Sequence, residues 1–175
     1  MEFTGRYFCY ALAQTLHGEL VGLEDTNMAT TAPRGKNSWT KVVDVMTKNP
    51  LTVTPSETVA QADELMTANK IRQLPIVEET ELVGIVTDRD IRSFLGTSLL
   101  ESPETREKAL NTEVREIMTT EPITLSPDDD LEDAVELLIE EKMGGIPVVD
   151  EAAGLVGIVT YVDVLRCFLN RLLED

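Results

Sequence analysis

Two threonine–aspartate pairs have the types and spacing to do chemistry. GIVTDRD (84–90) ends an apolar run on Thr87 and sets Asp90 three places on, and GIVTYVD (157–163) does the same with Thr160 and Asp163. A hydroxyl and a carboxylate so placed can act in either of two ways. Where a strand runs into a helix they make a capping box, with threonine at the N-cap and aspartate at N3, where the helix dipole favours an acid. Alternatively they are two hydrogen-bonding groups that hold a ligand at the helix start. The local pattern leaves both readings open.

Other candidates for chemistry are weak. His17 is the only histidine, and no G-x-G-x-x-G, P-loop or H-E-x-x-H motif occurs. Asp128-Asp129-Asp130 could attract a cation but stand at a helix start, where acids are expected. Glu140-Glu141 read as a solvated helix face. Cys9 and Cys167 are too few and too far apart for a disulfide framework or a metal site, which makes a reducing cytoplasm the expected compartment. On this reading the chain is not an enzyme, holds no metal and requires no cofactor.

The net charge is −17, from 32 acids against 15 bases. Such a surface repels phosphate backbones and acidic lipids, so neither nucleic acid nor membrane is an expected partner. No apolar run approaches the roughly 20 residues that cross a bilayer, and solubility is expected. The opening MEFTGRYFCYALAQTLHGEL is partly apolar, but Glu2 stands where a signal carries basic residues and Gln14 interrupts the run, so it is not read as a signal.

The elements that must position the two pairs come from an internal repeat. At a constant shift of 72, Met46, Thr47, Pro50, Thr52, Pro55, Ala62, Lys70 and Pro75 fall on Met118, Thr119, Pro122, Thr124, Pro127, Ala134, Lys142 and Pro147. After one extra residue, Gly84, Thr87 and Asp90 fall on Gly157, Thr160 and Asp163. Each copy predicts the order β-α-β-β-α. LTVT (51–54) and ITLS (123–126) are strand candidates stopped by proline. The next helix is capped by Thr58 with Gln61, or by Asp130 with Asp133. The runs LPIV and LVGIV, or IPVV and LVGIV, make a hairpin buried on both faces, and a helix closes each copy. A unit of about 60 residues buries too little apolar surface to be comfortable alone. An α+β fold of two repeats, packed sheet to sheet about a pseudo-twofold axis, is therefore expected. The divisions are an N-terminal extension (1–40, partly flexible, with a helical FCYALAQTLHGEL), a first domain (41–97), a linker (98–112) and a second domain (113–175). Ser102-Pro103-Glu104 is a helix start inside the linker.

Residues 41 to 173 resemble a tandem pair of cystathionine-β-synthase (CBS) domains. The resemblance rests on the V-M-T and I-M-T openings, the L-P-I-V and I-P-V-V strands, and G-I-V-T-x-x-D in both copies. It implies a regulatory module whose clefts take an adenosyl effector such as AMP, ADP, ATP or S-adenosylmethionine, or else an assembly module of the same fold that binds no nucleotide. It also implies a homodimer and an unidentified effector protein. In the ligand-binding reading, Thr87, Asp90, Thr160 and Asp163 hold ribose and phosphate, and each cleft draws on both copies. Thr87 and Asp90 would then face an adenine pocket of Thr119, Pro122, Ile123, Gly145 and Pro147. Thr160 and Asp163 would face Thr47, Pro50, Leu51, Gln73 and Pro75. Arg72 and Arg89 are candidates to neutralise phosphate, with ordinary surface charge as the alternative. Lys70 and Lys142 are read as surface charge, and Phe94, Leu95, Leu165, Phe168, Leu169 and Leu172 as either interface or core.

Overall fold

The computed structural model describes residues 40–98 and 102–174; the expected extension and its helix lie outside them, apart from Thr40. The first repeat comprises α1 (Val42–Val45), β1 (Thr47–Lys48), α2 (Val59–Asn69), β2 (Gln73–Glu78), β3 (Glu81–Thr87) and α3 (Asp88–Ser98). The linker carries α4 (Pro103–Leu110), with Ser102 as N-cap accepting from the Thr105 N–H. A 3₁₀ turn (Val114–Glu116) leads into β4 (Thr119–Thr120), α5 (Leu131–Glu140), β5 (Gly145–Asp150), β6 (Gly154–Thr160) and α6 (Tyr161–Glu174).

The α+β architecture is two three-stranded sheets, ordered β2-β3-β4 and β1-β6-β5. Each sheet is a hairpin of one repeat completed by a short strand of the other: Thr47 pairs with Ile158, and Thr119 with Ile85. The cores are exchanged in the same way. Val42 belongs to the core of the second repeat and Val114 to that of the first, both fully buried. The central strands β3 and β6 approach each other.

The short strands therefore do not lie where the apolar alternation predicts them. In LTVT and ITLS only Val53 and Leu125 pair, each as an isolated parallel bridge to its own repeat, with Ile76 and Val148. The segments that pair across repeats carry the Met-Thr dipeptides just upstream. A sharp turn separates the two parts: Asn49 and Glu121 both have left-handed backbone, φ 49° and 48°.

Helix caps differ between repeats. Thr58 and Gln61 form the expected box, the Gln61 N–H donating to Thr58 Oγ1 at 3.3 Å and the Thr58 N–H to Gln61 Oε1 at 2.8 Å. Asp130 makes no side-chain cap. Its carboxylate is drawn instead to Lys41, whose Nζ donates at 2.8 Å and whose pKa this hydrogen bond raises. The recurrence of Lys70 and Lys142 has a backbone cause, since both follow a helix in left-handed conformation, φ 55° and 54°, with their side chains exposed.

Candidate functional site

Both Thr-x-x-Asp pairs are capping boxes with almost the same dimensions. The Thr87 N–H and Oγ1 donate to Asp90 Oδ2 at 2.9 and 2.6 Å, and the Asp90 N–H donates back to Thr87 Oγ1 at 3.2 Å. In the second copy the distances between Thr160 and Asp163 are 2.9, 2.6 and 3.3 Å. The fold dictates this junction. β3 and β6 end on the threonines, and α3 and α6 begin on the next residue, so free N–H groups of each first turn meet a hydroxyl and a carboxylate.

The cap uses one carboxylate oxygen and leaves the other. Asp163 Oδ1 receives Thr47 Oγ1 at 3.3 Å, from β1 of the other repeat, and lies 3.9 Å from Arg166 Nη1. Asp90 Oδ1 has no hydrogen-bond partner among the described residues. Asp163 is 8% exposed and is the one buried charged residue among those described. It also lines a cavity of about 320 Å³ between α6 and the Thr40–Val45 segment, at the lower end of the range for small-molecule sites. Arg166 is a neighbour that the repeat does not reveal, because its counterpart is Ser93; its position one turn after Asp163 is the available signal.

Near the starts of the two closing helices the structure brings together residues from both repeats. Arg72 donates from Nη1 to the Tyr161 hydroxyl at 3.2 Å, while its backbone carbonyl accepts from the Asp88 N–H at 2.9 Å, so Arg72 touches the starts of both closing helices. The Gln73 amide crosses to the second repeat and fills the space beside Gly144 and Gly145. A Cβ on Gly145 would collide with it and stand 2.8 Å from Thr160 Cγ2, which accounts for glycine there. Leu51 and Ile123, at matching positions after the crossing strands, are left 44% and 43% exposed. Pro50 and Pro122 beside them are half-buried.

Other residues stand further from the helix starts or deeper. Pro75 and Pro147 are fully buried, with carbonyls that accept from Val53 and Leu125 at 3.2 and 3.0 Å. Thr119 is held by pairing with Ile85, two residues before Thr87, but no hydrogen bond to Asp90 is formed. Arg89 is exposed on the first turn of α3. Phe94 and Leu95 pack against the first core, whereas Leu165, Phe168, Leu169 and Leu172 of α6 stay more than half exposed.

Two stacked β-hairpin repeats with exchanged edge strands, and a threonine–aspartate box at each closing helix, define a duplicated α+β module. The CBS domain profile matches residues 42–97 and 114–170, and the chain belongs to the CBS domain family, carrying the domain twice. Protein MJ1225 of Methanocaldococcus jannaschii is 35% identical over 136 residues, covering 73% of this chain and 49% of that protein. The chain thus spans about half the length of that relative. Among solved structures, CBSX2 in complex with AMP shares 34% identity at a TM-score of 0.64, over 74% of this chain and 96% of that one; CBSX2 is from Arabidopsis thaliana. The CBS domain pair of protein MJ0100, in complex with 5′-methylthioadenosine and S-adenosyl-L-methionine, shares 30% identity at a TM-score of 0.65, over 76% and 98%. Among the described residues no helix is long and apolar enough to cross a membrane.

Proposed function

We propose that this chain is a regulatory module that binds an adenosyl effector, such as AMP, ADP, ATP or S-adenosylmethionine, between its two CBS repeats. The observation that carries the reading is the arrangement at Asp163. A buried carboxylate is fixed by its own cap and presents its second oxygen to a hydroxyl of the other repeat. A ribose diol offers donors for that oxygen, and for Asp90 Oδ1 in the first copy. In the Asp163 cleft Leu51 would flank the base with Thr47, Pro50, Gln73 and Pro75, and in the Asp90 cleft Ile123 would do so with Thr119, Pro122, Gly145 and Pro147. Relatives that hold AMP or S-adenosylmethionine support the same ligand class.

Binding would act by population shift. A ligand that bridges Asp163 and the β1 segment favours arrangements in which the repeats stay apposed, and moves the balance only by its differential affinity. An effector protein would read that arrangement, and the exposed apolar face of α6 favours a homodimer as the assembly that presents it. If no adenosyl compound binds, the same face supports the second reading, an assembly module.

Thermal unfolding with AMP, ADP, ATP and S-adenosylmethionine tests the proposal. A ligand at about 100 times its dissociation constant adds roughly 2.7 kcal/mol per site, and at about 2–4 °C per kcal/mol the midpoint rises several degrees. The rise is expected to be lost in the Asp90→Ala, Asp163→Ala double variant. No rise with any of the four leaves the assembly reading.

A further inference from the structure

We infer that the two clefts are built for different adenosyl ligands: the Asp163 cleft for one that carries a phosphate, and the Asp90 cleft for one that carries none. The inference rests on the ribose reading of the two aspartates and goes beyond it, because the capping boxes are alike and only their surroundings differ.

Two guanidinium groups each stand beside a residue of the first turn of α6. Arg72 comes from the first repeat and reaches the Tyr161 hydroxyl, one residue past Thr160. Arg166 comes from α6 itself and stands 3.9 Å from Asp163 Oδ1. Arg166 is set against the Asp163 carboxylate itself, so Arg72, whose partner is a neutral phenol, is the cation near this helix N-terminus free to meet an anion on a chain of net charge −17. The Arg72–Tyr161 bond is a neutral acceptor on a charged donor in an exposed position. A phosphate oxygen is the stronger acceptor and would take Tyr161's place on Arg72.

At the start of α3 each of these groups is replaced. The counterparts of Arg72 and Gln73 are Gly144 and Gly145, that of Arg166 is Ser93, and that of Tyr161 is Asp88. Asp88 sets a carboxylate beside Thr87, and the nearby Arg92 is tied to it by an ion pair. A phosphate here would meet a carboxylate where the other cleft offers a phenol. A neutral adenosine, or an adenosyl sulfonium with a positive charge, avoids that repulsion. Arg89 is the cation left on this first turn, and its counterpart is Val162.

Isothermal titration calorimetry with AMP and with adenosine separates the outcomes, using the full chain and the Asp163→Asn, Asp90→Asn, Arg72→Gln and Arg89→Val variants. Arg72→Gln is expected to weaken AMP by about tenfold or more, the size of a lost charge-assisted bond, and to leave adenosine unchanged. Asp163→Asn should weaken AMP most, Asp90→Asn should weaken adenosine most, and Arg89→Val should alter neither. Equal weakening of AMP by both Asp variants, or an AMP loss with Arg89→Val but not Arg72→Gln, overturns the division while leaving the ribose reading in place. Binding of both compounds that neither Asp variant affects, or no binding of either, overturns the ribose reading and the division with it. Arg72 is exposed and in no core cluster, so its variant is expected to fold, and unchanged circular dichroism checks this.

Discussion

Asp90 and Asp163 each commit one oxygen to the start of their own helix and leave the other out of the cap; Asp163 presents it to Thr47 of the other repeat. A cap is thus the device that aims a ligand-facing carboxylate: two bonds to Oδ2, from a backbone N–H and a hydroxyl, leave the side chain little rotational freedom. Removing the hydroxyl should cost stability whatever the ligand does. Thr87→Val and Thr160→Val are each expected to destabilise by about 1 kcal/mol, the usual worth of an N-cap, measured by urea unfolding. Little or no loss would mean that the boxes do not hold the carboxylates in place. Arg72 is the other residue of consequence, because it ties a strand start in one repeat to a helix start in the other.

The elements explain why Met-Thr and Gly-Ile-Val-Thr recur together. Met118 runs alongside β3 and Met46 alongside β6, so each glycine faces the methionine of the opposite repeat. A Cβ on Gly84 would stand 2.7 Å from Met118 Sδ and 3.0 Å from the Thr119 carbonyl. Gly84→Ala should therefore cost about 1–3 kcal/mol by overpacking at the β3–β4 crossing, read as a lowered unfolding midpoint. An unchanged midpoint would show that Met118 yields freely. Much at this scale was legible in the sequence: the duplication, the hairpins, the closing helices and the Thr58–Gln61 cap follow from local pattern. What was not legible is non-local. Nothing in LTVT says that its neighbour Thr47 will pair with the other repeat, and nothing in Asp130-x-x-Asp133 says that Lys41, 89 residues away, will claim the cap carboxylate. At the site, the recurrent pairs and Arg72 could be marked in advance. Gln73 and Gly145 could be marked too, but not that the Gln73 amide packs on Gly145, because that contact is non-local, and Arg166 has no counterpart in the first copy, where Ser93 stands.

For the whole molecule, exchanged strands and exchanged core valines mean that neither repeat completes its sheet or its core alone. The two repeats nevertheless face outward differently. Linker helix α4 packs on α3, whereas α6 meets α5 and the four-residue α1. Leu165, Phe168, Leu169 and Leu172 remain 54–61% exposed on α6. If a second copy covers this face, analytical ultracentrifugation will show a dimer that the Leu165→Glu, Leu169→Glu double variant converts to monomer. A monomeric wild type would remove the homodimer from the account. The central claim is that a carboxylate reads a ribose diol in a cleft between the repeats, and the most direct measurement compares adenosine with 2′,3′-dideoxyadenosine by calorimetry. The account predicts that loss of both hydroxyls weakens binding by about 100-fold or more, two charge-assisted bonds at roughly 1.5–3 kcal/mol each. Equal affinity for the two compounds would contradict it and leave Thr-x-x-Asp as a helix cap alone.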